Sequence, residues 1–230
     1  QGEQQTIAEI NMYVSLPRYY KGTHMSRFVE ILNEHSRRIS LQNFPEILGE
    51  MKKRLNAESA HLEATFPYFI NKAAPVTGIE GLMEYRCTLK GSLKDKTDLM
   101  VMLYVPISTL CPCSKEISDF GAHNQRGEVR LQLRFIKFVW IEDIIKLVEE
   151  SASSDVYSLL KREDEKYVTE KAFQNPMFVE DVVRDIAVKL NSDTNITWFS
   201  IETENFESIH NHNAYAYIEK HKTAQAVQGG

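Results

Sequence analysis

Two cysteines, a lysine, a histidine and an arginine crowd the segment Ser108–Gly127, STLCPCSKEISDFGAHNQRG: Cys111, Cys113, Lys115, His123 and Arg126. Thiolate and imidazole are both good ligands for zinc and other transition metals, and a loop rarely concentrates so many reactive groups without using them. Pro112 fixes the backbone between the thiols. If the chain is extended there, Cys111 and Cys113 point the same way, giving two ligands or one ligand and one supporting thiol. The alternative is that the cysteines are small apolar fillers. A second constellation, NFESIHNHNAYA over Asn205–Ala216, gathers Glu207, His210 and His212. Glu207 and His210 meet on one face if that turn is helical; otherwise the segment is a polar turn. Arg18, Lys21, His24 and Arg27 form a basic cluster beside a helix start. Such a cluster holds phosphate through charge and free backbone N–H groups, or is an ordinary start capped by Thr23. The run Lys161–Glu170 mixes acids and bases and reads as a solvated helix end. Neither a GxxxxGK(S/T) loop nor a GxGxxG turn occurs, so nucleotide folds built on those motifs find no support.

The elements that would position these groups follow from periodicity. Gln5–Leu16 reads as a strand, Met25–Arg37 and Phe44–Leu55 as helices, Ala60–Ile70 as a strand broken near Pro67, and Gly81–Leu89 as another. Leu99–Val105 is apolar enough for a buried strand, followed by a loop from Pro106 to Gly127. Glu128–Phe138 alternates, with Val129, Leu131, Leu133 and Phe135 opposite Arg130, Gln132 and Arg134. Trp140–Glu150 predicts a helix, and Asp155–Thr169 a short one. Val179, Val182, Val183, Ile186, Ala187 and Leu190 make the clearest apolar helical stripe. Ile196–Glu204 and Ala214–Glu219 close as strands. Strands, helices and strands appear twice. The expected class is α+β with an internal duplication: modules over 1–95 and 96–221, each an antiparallel sheet with helices on one face, and a disordered tail over 222–230.

With 230 residues, 43% of them hydrophobic, and a formal charge of -5, the chain can bury a substantial core and has no global basic field for nucleic acid or an anionic membrane. No apolar run suits a membrane span and no signal peptide opens the chain. Three cysteines, an odd count, argue against a disulfide framework and for a reduced, cytoplasmic setting.

LYVPISTLCPCSKEISDFGAHNQRG closely resembles the signature of the type IB GTP cyclohydrolases. SLPRYYKGTHMSRFVEIL, LKREDEKYVTEKAF, NPMFVEDVVRD and ESIHNHNAYA also resemble that family's blocks, in the right order along nearly the whole chain. The family's usual N-terminal extension is not seen, so residues upstream are expected. The resemblance implies a tunnelling fold (T-fold) of two tandem modules, assembled as a homotetramer with active sites at subunit interfaces. It implies a divalent metal, Zn2+, Mn2+ or Fe2+, held by Cys111, His123 and Glu165, with Cys113 an alternative ligand. Glu207 and His210 would bind the metal or move protons, making them catalytic with Cys111. Glu180 would anchor the guanine of GTP, and Arg18, Lys21, Lys115 and Arg126 are expected to meet the triphosphate. The implied reaction converts GTP and water to formate and 7,8-dihydroneopterin triphosphate, the opening of pterin and folate synthesis. Two alternatives within reach of the same motifs are an archaeal-type enzyme making a cyclic-phosphate pterin and a queuosine-pathway nitrile reductase that would need NADPH.

Overall fold

A computed structural model describes residues 5–20, 22–35 and 39–222. Its strands are β1 (Glu9–Ser15), β2 (Ser59–Ala73), β3 (Glu80–Leu93), β4 (Thr97–Leu110), β5 (Asn124–Phe135), β6 (Ser154–Asp155), β7 (Ile196–Asn205) and β8 (Ala214–His221). Its helices are α1 (Met25–His35), α2 (Phe44–Arg54), α3 (Pro112–Ile117), α4 (Ile141–Glu149), α5 (Arg162–Gln174) and α6 (Val179–Ser192). The strands pair in the order β1-β2-β3-β4-β5-β7-β8, with β6 against β4. The class is α+β.

The chain packs as two compact units. One comprises Gln5–Phe66 with Cys87–Met102; the other comprises Pro67–Arg86 with the chain from Leu103 onward. Strands β2, β3 and β4 are long enough to contribute residues to both. The tail expected to be disordered falls, past Lys222, outside the described residues.

In the first unit β1 runs antiparallel to the start of β2, from Glu9 opposite Thr65 to Ser15 opposite Ser59. Helices α1 and α2 bury Ile31, Phe44, Ile47, Leu48 and Met51. Gly91 lets α2 approach β3 closely: a Cβ there would stand 2.7 Å from Phe44 Cδ1 and 2.9 Å from Leu48 Cδ1. Arg54 ties the two helices, at 2.6 Å from Glu30, 2.9 Å from Glu34 and 2.8 Å from Glu50. Arg27 donates to the Arg54 carbonyl at 2.8 Å. That contact gives one member of the basic cluster a structural task.

The second unit holds the stripe foreseen for α6. Val179, Val182, Val183, Ile186 and Leu190 are buried, each worth roughly 1.5–3 kcal/mol of transfer free energy. Strand β7 runs antiparallel between β5 and β8. On β5, Gln125, Gly127, Val129, Leu131 and Leu133 form one buried row, so the period-2 pattern continues past the apolar residues to a polar one.

Three local expectations are corrected. Pro67 does not break β2, which runs to Ala73. Among the described residues the register with β1 runs no further along β2 than Thr65, so Pro67 lies beyond that ladder, a position that proline tolerates. Pro106 does not open a loop: β4 extends to Leu110, and α3 and the start of β5 take up much of the expected loop. The short helix expected within Asp155–Thr169 is α5, of 13 residues.

Helix α5 starts at a buried carboxylate. Asp164 accepts hydrogen bonds from the N–H groups of Val76 and Thr77, both 2.9 Å, from the Thr77 hydroxyl at 2.8 Å, and from the Lys161 N–H at 2.9 Å. Burial by itself would raise its pKa, but these donors outweigh burial and hold it down at about 2. The bond to Lys161 is the backward half of a capping box, and the others pin the β2–β3 turn to the helix. The folded-state pKa lies below the unfolded value of 3.8. The carboxylate therefore adds stability in full above that value, and the contribution is lost as pH falls towards 2. Asp164→Ala is expected to lower the thermal midpoint by many degrees at pH 7, with the gap to the wild type closing between pH 4 and 2. Melting curves across that range check it; a constant gap would remove the ionised carboxylate as the cause.

Candidate active site

The site begins where β4 ends. Cys111 is the N-cap of α3, in extended conformation, and its Sγ accepts from the Ser114 N–H at 3.4 Å. Pro112 follows at the first helical position, where its missing N–H costs nothing. The chain therefore turns into a helix between the two thiols, and the extended geometry that would have aimed them alike does not form. Cys113 lies exposed in the first helical turn. The Cys111 N–H donates to the His123 carbonyl at 3.1 Å, and the His123 N–H donates to Ser114 Oγ at 2.9 Å. Two bonds thus set Cys111 and His123 side by side although 12 positions separate them.

His123 is half-buried, and its Nδ1 lies 3.0 Å from Gln125 Oε1 and 3.2 Å from Ser208 Oγ. Gln125 in turn donates through Nε2 to Thr109 Oγ1 at 2.8 Å. Ser208 belongs to the irregular segment 206–213 between β7 and β8, the one that carries Glu207, His210 and His212. A second tie, Phe206 N–H to the Arg126 carbonyl at 2.8 Å, holds the base of that segment to β5. The segment is a series of bends and not a helical turn, so Glu207 and His210 do not share a helix face. Instead the His210 and His212 rings stack, centroids 5.1 Å apart and 18° between planes. Beside His123 opens a groove of about 410 Å³ lined by Ser114, Ile117, Phe120 and Gly121. Phe120 is fully exposed at its rim.

Glu180 is exposed in the first turn of α6, and the Met177 N–H bonds the Leu110 carbonyl at 3.1 Å, which brings that helix start to the residue before Cys111. Glu165 is exposed in the first turn of α5. The far end of α5 meets α3 through Lys115, whose Nζ donates to the Phe173 carbonyl at 2.5 Å and lies 4.4 Å from that ring's centroid. Glu165 is eight positions from Phe173, roughly 12 Å along the helix axis. Among the described residues no three His, Cys, Asp or Glu side chains gather closely enough to hold an ion. The structure thus joins Cys111, His123 and the Glu207–His210 segment, and leaves Glu165 at the other end of its helix. Of the residues expected at the triphosphate, Lys115 is engaged with Phe173, Arg126 is exposed on β5, and Arg18 is exposed in the other unit. Lys21 lies outside the described residues.

The donor chemistry fits a transition metal. Cys111 Sγ and the His123 imidazole are donors of the kind that zinc and iron take. His123 is held through Nδ1, which leaves Nε2 as the nitrogen able to ligate. Gln125, Thr109 and Ser208 escaped the sequence reading. The signal for Gln125 was there: it falls in phase with Val129 and Leu131 on the buried side of β5. Ser208 had none, because it reaches His123 across 85 positions. Two buried acceptors just before the bends, Thr203 Oγ1 and Asn205 Oδ1, have no hydrogen-bond partner among the described residues.

The fold is that of the uricases. The uricase from Arthrobacter globiformis superposes with a TM-score of 0.58 over 95% of this chain and 86% of that one, at 5% identity. Urate oxidase from Bacillus sp. TB-90 superposes with 0.58 over 94% and 88%, at 10% identity. Sequence comparison is more specific than fold. The family model described as type I GTP cyclohydrolase folE2 matches residues 1–216. GTP cyclohydrolase FolE2 of Syntrophobacter fumaroxidans is 63% identical over 96% of this chain and 87% of its own length, and that of Desulfosudis oleivorans is 64% identical over 94% and 84%. The chain belongs to the FolE2, or type IB, family of GTP cyclohydrolases.

Proposed function

We propose that this protein hydrolyses GTP to formate and 7,8-dihydroneopterin triphosphate, with a divalent cation held by Cys111 Sγ and His123 Nε2. The observation that carries the reading is the convergence, in a FolE2 family member, of Cys111 and His123 with the segment bearing Glu207 and His210. A bound divalent cation supplies acidified water at neutral pH. The chain's own groups do the rest. His210 donates a proton to N7 of guanine, which makes C8 a better electrophile. Glu207 orients His210 or carries the second proton. Glu180 accepts hydrogen bonds from the guanine N1–H and amino group; adenine offers no such pair and is rejected. Arg126 meets the triphosphate, and Lys115 does so by leaving Phe173.

Glu165 completes the ligand set from a second copy of the chain. Its distance along α5 from the α3 contact supports that reading, and so does the fit of a T-fold, two tandem modules per chain, to a homotetramer with sites between subunits. Zn2+, Mn2+ and Fe2+ all suit one thiolate, one imidazole and a carboxylate. The free cysteines support a reducing, cytoplasmic setting, and among the described residues no helix is long and apolar enough to cross a membrane.

The test is incubation with GTP and each divalent metal, with pterin fluorescence read after oxidation and formate measured directly. Product mass separates a linear triphosphate from a cyclic phosphate. No pterin with any metal, or turnover that requires NADPH, would overturn the proposal. Glu180→Gln is expected to weaken GTP binding about 100-fold, since an amide keeps at most one of two charge-assisted bonds worth about 1.5–3 kcal/mol each. Metal content should not change. Unaltered GTP affinity in equilibrium binding would remove Glu180 as the guanine anchor.

A further inference from the structure

We infer that Gln125 is a positioning residue that sets the tautomer and orientation of His123, so that the Nε2 lone pair is the one offered to the cation. The inference rests on His123 being a ligand. Gln125 is 7% exposed and Thr109 fully buried. A buried amide must satisfy both of its ends. The NH2 end of Gln125 donates to Thr109 Oγ1 at 2.8 Å, which turns the carbonyl end towards His123 Nδ1, 3.0 Å away. A carbonyl oxygen only accepts hydrogen bonds. Nδ1 must therefore carry the ring proton, and Nε2 is left as an acceptor.

Ser208 Oγ also lies 3.2 Å from Nδ1. A hydroxyl both donates and accepts, so it fits either tautomer and selects neither. Selection falls to Gln125, whose carbonyl end faces Nδ1 while the Thr109 hydroxyl, able to donate or accept, meets the far end of the amide. Gln125 on β5 and Thr109 on β4 are both buried, whereas Ser208 is exposed in the bends. Imidazole free in water favours the opposite tautomer, with the proton on Nε2. Without Gln125 the ring would have to exchange that proton and reorient before it could bind a cation. Supporting residues of this kind typically change metal affinity roughly 10–100-fold.

The experiment uses the full chain, metal-free, with 15N-labelled histidine. Long-range 1H–15N correlation spectra report which ring nitrogen of His123 is protonated, and Zn2+ titration against a chelator reports affinity. The wild type is expected to show the Nδ1–H form. Gln125→Leu should shift His123 to the Nε2–H form and weaken Zn2+ binding roughly 10–100-fold. Gln125→Glu keeps an acceptor facing Nδ1 and should hold the wild-type tautomer, with affinity within a few-fold. Thr109→Val, which removes the hydroxyl but keeps the shape, should give a mixture of tautomers and serves as the second variant if Gln125→Leu does not fold. A wild-type His123 in the Nε2–H form, or Gln125→Leu binding Zn2+ as tightly as the wild type, would overturn the inference. Failure of the metal reading is a separate result: His123→Ala would then bind Zn2+ unchanged, whatever the tautomer in the wild type.

Discussion

Cys111→Ala should lower GTP turnover by roughly a thousand-fold or more, well past the 10–100-fold typical of a supporting residue. The structure gives the thiol one task and the proposed function adds a second, and the two can be separated. As N-cap of α3 it accepts from the Ser114 N–H, a role worth about 1 kcal/mol. As ligand it supplies the charged donor beside His123. Serine caps a helix well but binds zinc or iron poorly. Cys111→Ser should therefore restore the stability lost in Cys111→Ala and leave turnover abolished, even with metal in excess. Turnover that returns in the serine variant would make Cys111 a cap and nothing more. Near-normal turnover in the alanine variant would remove it from the chemistry altogether.

His210→Ala should retain metal and GTP binding and slow formate release by roughly 10²–10⁴-fold, the range of a general acid or base in position. His210 lies in the bends that Ser208 ties to His123 and that Phe206 ties to Arg126, so two fixed points hold its segment beside His123. Its exposure suits a proton carrier that exchanges with solvent. Rapid-quench measurement of formate in a single turnover isolates the ring-opening step. A normal formate burst would place the proton elsewhere, with Glu207 next in line.

The parts of the fold written in local periodicity could be read from the chain. The stripe of α6 and the alternation of β5 are burial patterns of period 3.6 and 2, and the structure has both. Pro67 and Pro106 misled because proline reports a missing donor and not whether a neighbouring strand needs it. The site was legible as residue types: Cys111, His123, Glu207 and His210 are chemically conspicuous. Their connections were not. The Cys111–His123 bond spans a helix that the extended reading did not foresee, and Ser208 reaches His123 through the antiparallel pairing of β5 with β7. Glu165 marks the limit in the other direction: a family motif named it, and a single chain holds it a helix length away from the α3 contact.

The clamp at Asp164 bears on how acid affects the protein. Because that carboxylate stays ionised above its unfolded value of 3.8, mild acidification does not undo its hold on the start of α5 and the turn beneath it. A decline in rate on mild acidification then has its cause at groups other than this clamp. The acid limb of a pH–rate curve need not be corrected for the loss of this one contact.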